Sequence, residues 1–177
     1  AQRLSRGPMP LAEAPAVAVQ IVAGLEEAHA QGVIHRDLKP SNVMLARGGR
    51  VKLVDFGLAK TVDRGATAQE AAEPITKVGI VLGTARYMSP EQLLGEEVDA
   101  RTDVWAFGCV LYEMLTARPA FPGHSVSEAV AAVLRDQPDW RALPTDVPPS
   151  ISRLLHRCLR RHRHGRLQHI GDARIEL

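Results

Sequence analysis

The chain has 177 residues, 45% apolar and 24% charged, a balance that supports one globular domain with its own core and argues against a disordered chain. Its 22 Lys and Arg against 20 Asp and Glu leave a formal charge of +2, too small an excess to imply a nucleic-acid or membrane-surface partner. No apolar run approaches the ~20 residues of a membrane span, and no signal peptide is visible.

Residues 1–10 read as an irregular lead-in. Leu11, Ala14, Ala18, Ile21, Val22, Leu25 and Ala28 recur at helical spacing and predict a helix to about Ala30, with Gly32 as its C-terminal cap and Pro15 held to the first turn. The stretch "VIHRDLKPSNVML", Val33 to Leu45, follows as a loop that crowds polar groups between apolar flanks. The runs "VML" and "VKLVDF", joined by "ARGGR", predict a small hairpin turned by the glycine pair. From Gly57 to about Leu82 there is no periodicity, and so long a loop in a compact domain points to function or disorder.

Thr102 reads as the cap of a helix over about Asp103 to Thr116, apolar almost all round and therefore expected inside a core. Gly108 within it costs about 1 kcal/mol relative to Ala, which predicts close packing there. After "RPAFPG", Ser125 or Ser127 caps a helix to about Arg135, and "PTDVPPS" leads into another over Ile151 to Arg160. A basic turn and a short final helix complete the chain. The expected fold is mainly α with one small β-hairpin, in a single domain over residues 1–177. Cys109 and Cys158 both sit in apolar-periodic stretches without a disulfide framework, and read as buried thiols of a reducing compartment.

Three motifs follow one another. His35-Arg36-Asp37, Lys39 and Asn42 fit H-R-D-x-x-x-x-N; Asp55-Phe56-Gly57 follows the hairpin; Ser89-Pro90-Glu91 follows the long loop, where Ala-Pro-Glu is the usual form. Each is weak alone, and their order and separation together are specific. The whole chain resembles the C-terminal lobe of a eukaryotic-like Ser/Thr protein kinase, and "GIVLGTARYMSPEQLLG" and "GRLQHIGDARIEL" are similar to the bacterial members.

The resemblance implies a catalytic loop over 33–42, an activation segment over 55–91, ATP and Mg2+ as cofactors, and Ser/Thr hydroxyls of proteins as acceptors. Asp37 would accept the acceptor hydroxyl's hydrogen bond, and Lys39 would place a point charge on the transferring phosphate. Asn42 and Asp55 would hold Mg2+, a cation that prefers oxygen ligands. Lys39 with Gly83 and Thr84 marks Ser/Thr rather than Tyr acceptors, with Thr84 hydrogen-bonding to Asp37 and Lys39. Gly57 frees the backbone where the long loop departs. Asp103 would hold the backbone of the catalytic loop; a simple first-turn residue favoured by the helix dipole is the alternative, and the nearly all-apolar helix favours the buried role. His35 would pack under the loop, with a catalytic base as the alternative. Glu91 and Arg166 would form a buried ion pair. Arg36 and Lys60 would pair with an activation-loop phosphate. The usual phosphosite position is Ile80, which has no hydroxyl, so Thr76 is the candidate, with Thr67 and Thr61 behind it. Each is equally readable as an ordinary polar loop residue.

The segment "HRCLRRHRHGRLQH" has no recognised metal-ligand spacing and no aromatic residues for base stacking, and reads as a solvated basic face. No Gly-rich nucleotide loop, strand Lys or helix Glu of a kinase N-terminal lobe precedes the motifs. The chain starts at Ala1 and stops within an apparent helix. It is therefore expected to be a fragment whose partners are protein substrates and the absent N-terminal lobe, inactive alone, and cytoplasmic. A membrane anchor elsewhere in the parent chain stays open. The alternative is a pseudokinase or truncated lobe acting as a binding scaffold; a third reading makes the polar loop a surface turn.

Overall fold

The computed structural model describes residues 1–46, 48–56 and 82–177. After a 3-10 turn at Leu4–Arg6, helix α1 runs Ala14–Ala30 and a second 3-10 turn spans Pro40–Asn42. Strands β1 (Val43–Leu45) and β2 (Val51–Leu53) follow. Then come short helices α2 (Leu82–Ala85) and α3 (Pro90–Leu94), the long helix α4 (Arg101–Thr116), α5 (Val126–Arg135), α6 (Pro149–Cys158) and α7 (Ala173–Glu176). Among the described residues, the mainly helical content with one hairpin agrees with the sequence expectation.

The core is built around α4, thirteen of whose sixteen residues are buried. A helix this apolar has no face to give to water, so other elements must cover it on all sides. Helices α1 and α6 do most of this. The α1 stripe Ala14, Ala18, Ile21, Val22 and Leu25 is buried, and α6 contributes Ile151, Leu154, Leu155 and Cys158. Trp105 stacks on Phe121 with ring centroids 5.1 Å apart, which fixes the loop after α4 to the core. Both cysteines are free and buried, and burial pushes both thiols up, Cys158 to about 12.

The hairpin is antiparallel, pairing Val43 with Leu53 and Leu45 with Val51, and Gly48 and Gly49 at φ 83° and 76° supply the left-handed turn. It is docked on α1 by Leu53, which packs against Gly24, and by the hydrogen bonds of Gln20. Gln20 Oε1 accepts from the Val51 amide at 2.9 Å, and its Nε2 donates to the Gly49 carbonyl at 2.9 Å.

Several boundaries differ from the sequence reading. The lead-in contains a helical turn. Helix α6 is shifted two residues towards the N-terminus, starting on Pro149, which suits a first-turn position where no N–H is needed. Helix α4 begins at Arg101, and Thr102 does not cap it. The Thr102 hydroxyl lies instead 2.6 Å from Ser89 Oγ, both buried, because a tertiary partner outcompetes the local cap. Of the two candidate caps for α5, Ser125 is used, accepting from the Glu128 amide at 3.1 Å.

Gly108 packs where α4 meets α6. A Cβ there would lie 2.7 Å from Cys158 Cβ and 2.9 Å from Leu159 Cδ2. Helix propensity favours Ala by about 1 kcal/mol, but overpacking a rigid contact costs ~1–3 kcal/mol. Gly108→Ala is expected to lower the urea midpoint despite its better propensity; a rise would show that α6 yields freely.

Candidate active site

The loop between α1 and β1 enters the core because a buried carboxylate awaits it. Asp103, in the first turn of α4 and fully buried, accepts the His35 amide at 2.8 Å on Oδ2 and the Arg36 amide at 2.9 Å on Oδ1. His29, near the end of α1, adds its Nε2 at 2.7 Å from Oδ2. Arg36 is held at φ 63°, a conformation non-glycine residues rarely adopt, so the two amide bonds offset local backbone strain. The Arg36 carbonyl accepts from Gln92 Nε2 at 2.8 Å.

His35 is fully buried, its ring 4.5 Å from that of Phe56. Its Nε2 lies 3.1 Å from the Val54 carbonyl and its Nδ1 takes the Asp37 amide at 3.4 Å. Both nitrogens are occupied, one by the loop and one by the end of the hairpin, which leaves neither for proton transfer.

Beyond this anchor Asp37, Lys39, Asn42 and Thr84 converge. Lys39 Nζ donates to Asp37 Oδ2 and to Thr84 Oγ1, each at 2.9 Å. Asn42 Nδ2 donates to the Asp37 carbonyl at 2.8 Å and to Asp37 Oδ2 at 3.3 Å. Asp37 Oδ1 accepts no hydrogen bond from the described residues and is the free lone-pair site of the cluster. Thr84 was expected to bond both Asp37 and Lys39; it bonds Lys39, which bridges it to Asp37, because the ammonium has donors for both oxygens. Asp55 follows directly on the bond from the Val54 amide to the Asn42 carbonyl, 3.0 Å, and so leaves the hairpin beside Asn42. It is exposed and sits at φ 56°. Gly57, Lys60 and Thr76, with Thr61, Thr67 and Ile80, lie outside the described residues.

The Ser-Pro-Glu motif explains its own departure from Ala. Ser89 caps α3 in a capping box, its Oγ taking the Gln92 amide at 3.4 Å while Gln92 Oε1 takes the Ser89 amide at 3.0 Å. Next to it, Glu91 accepts a forked pair from Arg166 at 2.5 and 2.7 Å. Arg166 also donates to the carbonyls of Arg160, Arg161 and Arg101, so all five of its N–H groups are used, and it lies over the Trp105 ring at 5.1 Å. Burial pushes the Glu91 carboxyl up, but the Arg166 guanidinium outweighs this and holds it below its usual range. Tyr87 donates to Glu113 at 2.5 Å, and burial pushes both groups up.

Sequence reasoning missed Gln92, His29, Tyr87 and Glu113. The Ser-x-x-Gln spacing of a capping box was visible for Gln92; the others are meetings of distant residues with no local signal. The basic segment is less solvated than expected. Besides Arg166, Arg161 donates to the carbonyls of Val133 and Asp136, and Arg163 to that of Glu97 at 2.7 Å.

Comparison with known proteins matches residues 1–171 to the protein kinase domain. The chain is 38% identical over 161 residues to the probable serine/threonine-protein kinase SCO3848 of Streptomyces coelicolor, covering 90% of this chain and 23% of that protein. It is 38% identical over 169 residues to PknB of Mycolicibacterium smegmatis, covering 93% and 26%. To PknL of Mycobacterium tuberculosis it is 40% identical over 153 residues, covering 86% and 36%. The chain thus spans only a minor part of the length of these relatives. Among the described residues no helix is long and apolar enough to cross a membrane.

Two outcomes follow from the buried carboxylates. Asp103→Ala strands two loop amides and is expected to cost about 3–5 kcal/mol in urea unfolding, with faster hydrogen exchange at His35 and Arg36. Glu91 is held below its unfolded value, so its stabilisation is complete above that value and fades as pH falls through the folded one. The stability gap between wild type and Glu91→Gln should therefore narrow as pH falls below the ordinary glutamate range; a constant gap would mean the charge contributes nothing.

Proposed function

The chain belongs to the protein kinase domain family, and from that premise we propose that residues 1–177 form the C-terminal lobe of a bacterial-type serine/threonine kinase that transfers the γ-phosphate of ATP to Ser or Thr hydroxyls of proteins. The observation that carries this reading is the Asp37 carboxylate, with one oxygen held by Lys39 and Asn42 and the other without a hydrogen-bond partner among the described residues.

Each group then has a role. Asp37 Oδ1 accepts the hydrogen of the incoming hydroxyl and aims its oxygen in line with the phosphorus. Lys39, between Asp37 and Thr84, presents its positive charge where the phosphoryl oxygens gain negative charge. Thr84 ties the ledge on which an acceptor peptide would lie to the reacting groups. Asn42 Oδ1, which accepts from Ser41 Oγ at 3.3 Å, and the Asp55 carboxylate would supply two oxygen ligands, the donor type that suits Mg2+. When bound, that ion would neutralise phosphate charge. Asp55 is poised for this by its exposure and left-handed backbone.

In this reading the Gly-rich loop and strand Lys that grip the nucleotide come from a second lobe, so residues 1–177 alone would transfer little phosphate. The test uses the parent protein with its complete kinase domain. Asp37→Asn keeps the shape and removes the acceptor charge, and is expected to slow transfer to a protein substrate at least ~100-fold without changing the melting temperature. Full retained activity would overturn the assignment and favour a scaffold.

A further inference from the structure

The Thr84 ledge must be held still if it is to present an acceptor, and its continuation does this with a side chain absent from the three motifs. Arg86, two residues after Thr84, donates from Nη2 to the Gly123 carbonyl at 2.5 Å, 37 residues away. Its Nε is buried and has no acceptor among the described residues, so the Gly123 carbonyl is the group that orients the guanidinium.

That carbonyl sits on a rigid support. Pro119 and Pro122 restrict the loop that carries it. Phe121, two residues before it, is 1% exposed and stacked on Trp105. On the other side Gly123 presses against the start of α5, where a Cβ would meet the Ala129 amide nitrogen at 2.5 Å. Only glycine lets the chain pass so close and still offer its carbonyl. Ser125 then caps α5.

We propose that Arg86 is a positioning residue for the acceptor: its bond to the Gly123 carbonyl clamps the Thr84 ledge to the α4–α5 loop and sets the affinity for the protein substrate rather than for ATP. This rests on the kinase reading. Arg86 touches neither Asp37 nor Lys39 and acts through Thr84. The clamp is distinct from the neighbouring Tyr87–Glu113 bond, which is partly buried and ties the same segment to α4.

The test is steady-state kinetics on the parent protein, with Mg·ATP and myelin basic protein as acceptor. Arg86→Ala is expected to raise the acceptor KM about tenfold and leave the ATP KM unchanged, as loss of one charged hydrogen bond implies. Arg86→Lys keeps a donor within reach of the same carbonyl and should bring that KM back to within about threefold of wild type. Hydrogen exchange over residues 82–88 should quicken in Arg86→Ala while the hairpin over 43–53 is unaffected. An unchanged acceptor KM, or a parallel rise in both KM values, overturns the proposal. If the wild-type protein transfers no phosphate, the kinase reading fails separately. Exchange then decides the clamp: faster exchange over 82–88 supports it, and none overturns it.

Discussion

The Asp103 carboxylate receives the amides of His35 and Arg36 and the ring of His29 from inside a helix with no solvent face. A buried carboxylate without partners would cost several kcal/mol, so the loop and the helix stabilise each other or neither is stable. The loop obtains the partners that allow Arg36 its left-handed backbone. The helix obtains donors for a charge it could not otherwise bury. Every other feature of the site hangs from this junction, because the residues after Arg36 leave it in one direction only.

From there the polar groups divide by depth. His35 turns inward and spends one ring nitrogen on the loop itself and the other on the Val54 carbonyl after β2. Asp37 and Lys39 turn outward, their side chains about a fifth exposed, as groups must be that meet a partner yet keep a fixed geometry, while Asn42 is buried behind Asp37 and bonds it. A second junction, Glu91 with Arg166, performs for the segment that carries the Ser-Pro-Glu motif what Asp103 performs for the loop between α1 and β1. Its forked geometry and the three carbonyls that saturate Arg166 are what make burial of both charges tolerable. Gln92 links the two junctions, since its amide caps α3 and also holds the Arg36 carbonyl.

The hairpin contributes by register. Pairing of Val43 with Leu53 continues into the bond between the Val54 amide and the Asn42 carbonyl, which delivers Asp55 beside Asn42. A slip of one residue would send both side chains to the opposite face. Gln20 guards against this by bonding the hairpin at Val51 and Gly49.

The sequence by itself determined the helices with strong 3.6-residue periodicity, the hairpin, the buried nature of α4 and the residues that gather at the loop. Periodicity is a local property, and the three motifs are contiguous. Tertiary structure decided what Thr102 does, because its hydroxyl could cap a helix or meet Ser89 and only packing chooses. It also decided that Thr84 reaches Asp37 through Lys39, that the basic segment turns much of its arginine inward to carbonyls, and that Arg86 finds Gly123. Most of these join residues 13 to 66 positions apart, or select among partners of similar chemistry. Spacing along a chain carries no information about such meetings until the core has fixed which surfaces face each other.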